Sequence, residues 1–153
     1  KLKLFFTAHG YRKLFPKMNG LEEKIPSLQY FAIQVYITPL NLENPTIPND
    51  LTGLIQNTKI KLEDYNIATK KIILTLYGNK NTIQISKKKL ERNAYILLLF
   101  TLGEIKYRKH IYDFNCEALP QNTNGLLSLS ELPEFIDYLA KINYSRKLKI
   151  IFE

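Results

Sequence analysis

Apolar and polar positions alternate most clearly over Gln29–Thr38, where Phe31, Ile33, Val35 and Ile37 interleave with Tyr30, Ala32, Gln34 and Tyr36. A two-residue period predicts a strand with one buried face. Lys1–Ala8 repeats the pattern with Leu2, Leu4 and Phe6. Between these strands, Gly20 and Pro26 punctuate a polar stretch with room for about two helical turns. Pro39, Pro45 and Pro48, interspersed with Asn41, Asn44 and Asn49, predict a loop opening an irregular insertion over about 41–66.

Lys70–Tyr77 predicts a further strand. Gly78-Asn79-Lys80-Asn81 reads as a turn and Thr82–Ser86 as its returning arm, with Ile83 and Ile85 inward. Ser86 is placed to cap a helix through Lys89, Arg92 and Tyr95 that Gly103 ends. Ala94–Leu102 is apolar all round, which suits a helix or a buried strand and reads here as helix. Lys106–Phe114 predicts a strand. Ser130 then caps a last helix with Pro133 in its first turn. Its Leu132, Phe135, Ile136 and Leu139 form an i, i+3, i+4, i+7 stripe, expected to pack on a sheet containing a closing strand of Leu148, Ile150 and Phe152. The whole predicts a single α+β domain over 1–153, a sandwich of one sheet with helices on one face.

Composition adds a charge and a source. The 153 residues carry 22 Lys+Arg against 14 Asp+Glu, a net +8, which points to a polyanionic partner. Eighteen Lys, 18 Ile, 13 Asn and 10 Tyr are residues with AT-rich codons, which suggests an organelle, an endosymbiont, a low-GC parasite or a virus. The same bias weakens the lysines as evidence for binding. One cysteine, Cys116, forms no internal disulfide. The longest apolar run, Ala94–Leu102, is about half of what spans a bilayer. A soluble protein without a membrane partner is expected.

Signatures of catalysis are sparse. The six glycines are scattered and form no phosphate loop. His9, His110 and Cys116 lie too far apart in sequence to suggest a metal site, and a nucleophilic pair would need Cys116 beside a histidine. Four Asp and ten Glu suggest no acid/base dyad. Leu51-Thr52-Gly53-Leu54-Ile55 is similar to the helix of LAGLIDADG endonucleases. Gln56 and Asn57 stand where its metal-binding acid belongs, which excludes that reading. No catalytic residue, cofactor, metal or small-molecule substrate is predicted, and the protein is read as not an enzyme.

Three basic clusters remain: Arg12-Lys13, Lys87-Lys88-Lys89 with Arg92, and Arg108-Lys109-His110. They are interleaved with Tyr11, Tyr95, Tyr107 and Tyr112. Cations neutralise phosphates and aromatic faces stack on unpaired bases, so the three clusters together point to nucleic acid as much as to solvated surface charge. Any one cluster alone is more simply a solvated surface. Lys87, Lys88, Lys89, Arg92, Arg108 and Lys109 are expected to face one polyanion.

The order of the clusters resembles the small-subunit ribosomal protein S-ten family, which includes the antitermination factor NusE. Lys1-Leu2-Lys3-Leu4-Phe5-Phe6-Thr7-Ala8 followed by Tyr11-Arg12-Lys13-Leu14 is similar to its opening strand and basic turn. Lys89-Leu90-Glu91-Arg92-Asn93-Ala94-Tyr95 is similar to its basic loop, and His110-Ile111-Tyr112-Asp113-Phe114 to the following strand. The family's Ser-Pro-His is reduced to Ser86-Lys87-Lys88, Ile96–Gly103 is extra, and 41–66 has no counterpart. The resemblance implies a ferredoxin-like βαββαβ fold with an extended basic hairpin or loop. It also implies ribosomal RNA and neighbouring ribosomal proteins as partners in a small subunit, in a mitochondrial or other AT-rich organellar matrix, or in the cytoplasm of a bacterial or viral host. Lys89, Arg92 and Tyr95 would lie in the RNA-embedded loop, Arg108 and His110 on its return strand, and Arg12 at the first turn. A stand-alone nucleic-acid-binding module of a virus or mobile element, and a protein-interaction domain, are the alternatives.

Overall fold

The computed structural model describes residues 2–8, 11–44, 47–78 and 86–152, with side chains described as far as 143. Along the chain run β1 (Leu2–Phe6), a 3-10 turn (Arg12–Leu14), α1 (Phe15–Glu22), β2 (Phe31–Val35), α2 (Asn49–Asn57), β3 (Lys59–Asn66) and β4 (Lys71–Gly78). There follow α3 (Lys87–Leu102), α4 (Glu104–His110), β5 (Ile111–Ala118), β6 (Leu127–Ser128), a 3-10 turn (Leu129–Glu131) and α5 (Leu132–Phe152). The architecture is mixed α+β. The turn at 79–81 and the returning arm with Ile83 and Ile85 lie outside the described residues.

Strands β1 and β2 pair in parallel as a two-stranded sheet, while β5-β4-β3-β6 form a second sheet. In the second sheet β3–β4 is antiparallel and β4–β5 parallel. β4 is central and reads Lys71-Ile72-Ile73-Leu74-Thr75-Leu76-Tyr77-Gly78, a nearly continuous apolar run, as expected of a strand flanked on both sides. Its Ile72, Leu74 and Leu76 face a core completed by Ile55, Leu98, Leu102, Leu132 and Ile136. Each large apolar side chain buried there contributes about 1.5–3 kcal/mol.

Helix α3 follows its sequence signals: the Ser86 hydroxyl accepts the Lys89 N–H, and Gly103 ends the helix at φ 75°. A Cβ on Gly103 would approach Pro39 Cδ to 2.7 Å, so only glycine fits. The α5 stripe also holds, with Leu132, Ile136 and Leu139 buried and Phe135 half-buried against the core.

Five expectations are corrected. The described strands form two sheets rather than one, because β1 and β2 pair only with each other. The segment 41–66 is not irregular: it holds α2, where Ile55 anchors the apolar side, and β3, an interior strand of the sheet. Residues 106–110 are helical, because Gly103 restarts the chain as α4 before β5 begins at Ile111. The cap before the last helix is Ser128, not Ser130. Its hydroxyl accepts the Ser130 N–H, and Glu131 returns a carboxylate to the Ser128 N–H at 2.8 Å. No closing strand follows, since α5 runs on to Phe152. The stripe therefore packs on β4 and its neighbours rather than on residues 148–152, where charged and apolar residues suit a helix turn as well as a strand.

The two-stranded unit is tied to the body at the α3–α4 junction. Glu104, only 1% exposed, donates its backbone N–H to the Ile37 carbonyl (2.7 Å) and accepts the Ile37 N–H on Oε2 (3.3 Å). Leu40 N–H also reaches the Phe100 carbonyl at 2.8 Å. These bonds set where the Arg12 turn sits against the body.

Candidate functional site

Three separate elements bring cations to one end of the four-stranded sheet. The first is the 3-10 turn after β1, carrying Arg12 and Lys13. The second is the β3–β4 turn, which delivers Lys70 and Lys71. The third is the end of α4, with Arg108, Lys109 and His110 in its last turn, where positive charge suits the helix dipole.

The β3–β4 turn is built by Asn66, whose Oδ1 accepts the backbone N–H groups of Ala68 and Thr69, both at 3.0 Å. Lys70 closes it in the left-handed region at φ 58°. The Lys70 carbonyl pairs with His110 Nδ1 at 3.0 Å, and Lys71 Nζ donates to the Arg108 carbonyl at 3.0 Å. The turn and α4 are thus laced together. From the other side, Lys106 Nζ donates to Asp137 Oδ1 (2.9 Å) and the Pro133 carbonyl (3.1 Å), fixing α4 against α5.

Between these elements lies a cavity of about 310 Å³ lined by Arg12, Lys71, Arg108, Ile111 and Tyr112. Among the described residues, Lys61–Glu63, Lys87–Glu91 and Lys106–Asp137 are ion pairs, and none of the cavity's three cations takes part in one. The Lys71 ammonium is held below its usual pKa by burial, and further by the positive charges of Arg108 and Arg12. Tyr112, 72% exposed, forms the outer wall. Three like charges converging without a counter-charge make a ready site for an anion.

The sequence-predicted residues divide accordingly. Arg12 and Arg108 meet in this cavity. Lys13 is exposed on the Arg12 turn, and Lys109 is exposed and lines a different cavity, with Tyr36, Pro39 and Asp137. His110 is buried and bonded to the turn, and burial and then Lys109 and Lys106 push its pKa down against the opposing Lys70 carbonyl bond and Asp137. Tyr95 is half-buried, its ring edge-on to Tyr107 at 5.3 Å. Burial raises the Tyr95 phenol, and pushes that of Tyr107 up to about 12.

Lys87, Lys88, Lys89 and Arg92 stand apart. They are exposed at the start of α3, a helix of 16 residues and so about 24 Å long. Since α3 and α4 connect the parallel strands β4 and β5, the start of α3 lies toward their far end. Glu91 accordingly acts on Cys116 there, whose thiol is raised first by burial and then by that carboxylate. The structure does not bring this cluster to Arg108 and Lys109.

Tyr112 was singled out from sequence, as one of the aromatics interleaved with the basic clusters, whereas Lys71 was not. The available signal was Lys70-Lys71 directly after Asn66-Ile67-Ala68-Thr69, a turn-forming stretch opening a strand. His110 and Cys116 lie six residues apart along β5 and its start, about 20 Å, and form no pair. His9 is outside the described residues. Among the described residues, no group of three or more His, Cys, Asp or Glu is arranged to hold a metal ion, and no helix is long and apolar enough to cross a membrane. Comparison with protein-family models, curated proteins and solved structures returns no match.

Proposed function

We propose that the protein binds RNA as a non-catalytic component of a ribonucleoprotein assembly, and that the assembly is the small ribosomal subunit implied by the S-ten resemblance. The observation that carries RNA binding is the convergence of Arg12, Lys71 and Arg108 on one cavity without a carboxylate partner among the described residues. Such a cluster costs folding energy through repulsion, and a phosphate relieves it. The exposed Tyr112 ring beside it suits stacking on an unpaired base.

An assembly is favoured over a free module by β1. All five of its residues are exposed, including Leu2, Leu4, Phe5 and Phe6. Exposed apolar residues grouped in this way mark contact surfaces. The segment 41–66 adds no such surface, since it is folded into α2 and β3. The ferredoxin-like form of the fold belongs to this reading. Two β-α-β units are present, β1-α1-β2 and β4-α3-α4-β5, although each joins directly neighbouring parallel strands and the two lie in separate sheets. An organellar matrix is the compartment that the AT-rich residue usage favours.

The test is co-sedimentation of the tagged chain with its native ribosomes on a density gradient. The expected result is migration with the small subunit at low salt and release at high salt. A chain that stays at the top of the gradient yet binds naked RNA would make it a stand-alone module instead.

A further inference from the structure

A second cavity, of about 420 Å³, adjoins the cationic one and shares Lys71 and Tyr112 with it. Its other lining residues are Asp64, Asn66, Thr69 and Ile73. Asp64 and Asn66 are two residues apart on β3, so they share a face of the sheet. They pair across with Ile73 and Lys71 of β4. The result is a patch with Ile73 as an apolar floor, a carboxylate and a carboxamide along one side, and Tyr112 at the other. A register shift between β4 and β5 leaves Tyr112 between the Ile72–Ile111 and Ile73–Asp113 pairs.

The hydrogen-bonding capacity of this patch is fixed by its backbone. Asn66 Oδ1 already accepts the Ala68 and Thr69 N–H groups, which orients the amide and leaves Nδ2 as a donor. Asp64 Oδ1 accepts the Tyr65 N–H at 2.8 Å, one use of about four acceptor positions on a carboxylate. Among the described residues, no cation pairs with Asp64. A carboxylate beside an amide donor matches the Watson–Crick edge of guanine, whose N1–H and N2–H donate while O6 accepts. Adenine and cytosine present a single amino group there, so the carboxylate loses one partner.

We propose that the two cavities together hold one unpaired guanine nucleotide of single-stranded RNA. Its phosphate lies among Arg12, Lys71 and Arg108. Its base lies between Tyr112 and Ile73, with its edge on Asp64 and Asn66. The proposal rests on the RNA-binding reading above and assigns the base that reading leaves open.

Fluorescence anisotropy with labelled uridine strands carrying one central G, A or C provides the test, with GMP as a competitor. The G strand binds about tenfold tighter than the A or C strand, within the range that paired contacts to a base edge supply. Asp64→Asn keeps an acceptor for the Tyr65 N–H and preserves the thermal transition. It reduces the G preference to less than about twofold, leaves the A strand as tight or tighter because a negative charge is gone, and leaves the salt slope unchanged. Tyr112→Ala weakens the G strand by about tenfold, as lost stacking does, again without changing the slope. Equal, salt-dependent affinity for all three strands would overturn the guanine assignment and leave RNA binding standing. Absence of binding to any strand would overturn both. GMP competing as well as the strand would assign the site to a free nucleotide and overturn the strand form.

Discussion

Two basic regions of this molecule have similar charge and opposite settings. At the start of α3, Lys87, Lys88 and Lys89 occupy the first turn of a helix that has no acidic residue there. Positive charge at a helix N-terminus opposes the dipole. These side chains are solvated, and Lys87 makes an exposed contact with Glu91 at 3.9 Å. At the β3–β4 turn, cations from three elements converge, and the backbone carbonyls of Lys70 and Arg108 are used to hold the elements together. The difference teaches that a run of lysines in sequence is weaker evidence for a site than single cations brought together by the fold. Arg12, Lys71 and Arg108 are separated by 58 and 36 residues.

Both regions hang on the same core, and the largest effect should strike them equally. Leu74 is fully buried at the centre of the sheet, and Leu74→Ala is expected to cost about 2–5 kcal/mol. Denaturant unfolding would measure it. A cost well under 1 kcal/mol would mean that the sheet is not the common support.

Glu104 should separate the regions. Glu104→Ala leaves the Ile37 N–H without its partner and is expected to cost about 1–3 kcal/mol. Because that bond helps set the Arg12 turn against α4, RNA affinity should fall in the same variant while the helical content of α3, read by circular dichroism, stays intact.

Acid provides a gentler test. Burial holds the folded-state pKa of His110 below its ordinary 6.5, so the unfolded chain binds the extra proton first. Stability should therefore be fully present above about pH 6.5 and decline as pH falls through the folded pKa. His110→Gln should flatten that part of the curve, measured as the denaturation midpoint between neutral pH and pH 5. An unchanged curve would show that burial does not hold the folded-state pKa of the imidazole below its unfolded value. The smallest effect belongs to the other region: Lys88→Glu should stabilise the folded chain by about 0.3–1 kcal/mol, seen as a rise in melting temperature, because it reverses a charge that opposes the dipole.

Much of the framework was legible where local rules and burial agree. The apolar run of β4, the Ser86 and Gly103 boundaries of α3 and the Leu132–Leu139 stripe appear as read. In contrast, β1 forms a strand without the buried face its alternation predicts, since all five of its residues are exposed. The failures share a cause. Lys106–Phe114 mixes charged and apolar residues at a spacing that fits either period, and its first half is helical as the continuation of α4 from Gly103, with Lys106 bonded to Pro133 and Asp137 of α5. In 41–66 the prolines suggested irregularity, but they precede α2, and β3 gains its place from β4 on one side and β6 on the other. The site was half legible for the same reason. Arg12 and Arg108 belong to visible clusters, whereas Lys71 becomes important only because β4 begins beside the end of α4.

Salt dependence of binding to single-stranded RNA tests the convergence of Arg12, Lys71 and Arg108 most directly. With about −0.7 in log–log slope for each phosphate neutralised, three cations on one strand account for about −2. Arg12→Gln/Lys71→Gln/Arg108→Gln should flatten the slope by about that amount. Lys87→Gln/Lys88→Gln/Lys89→Gln, with the same loss of charge, should flatten it by clearly less than one unit. Equal flattening in the two variants would show that only net charge matters and would contradict the site.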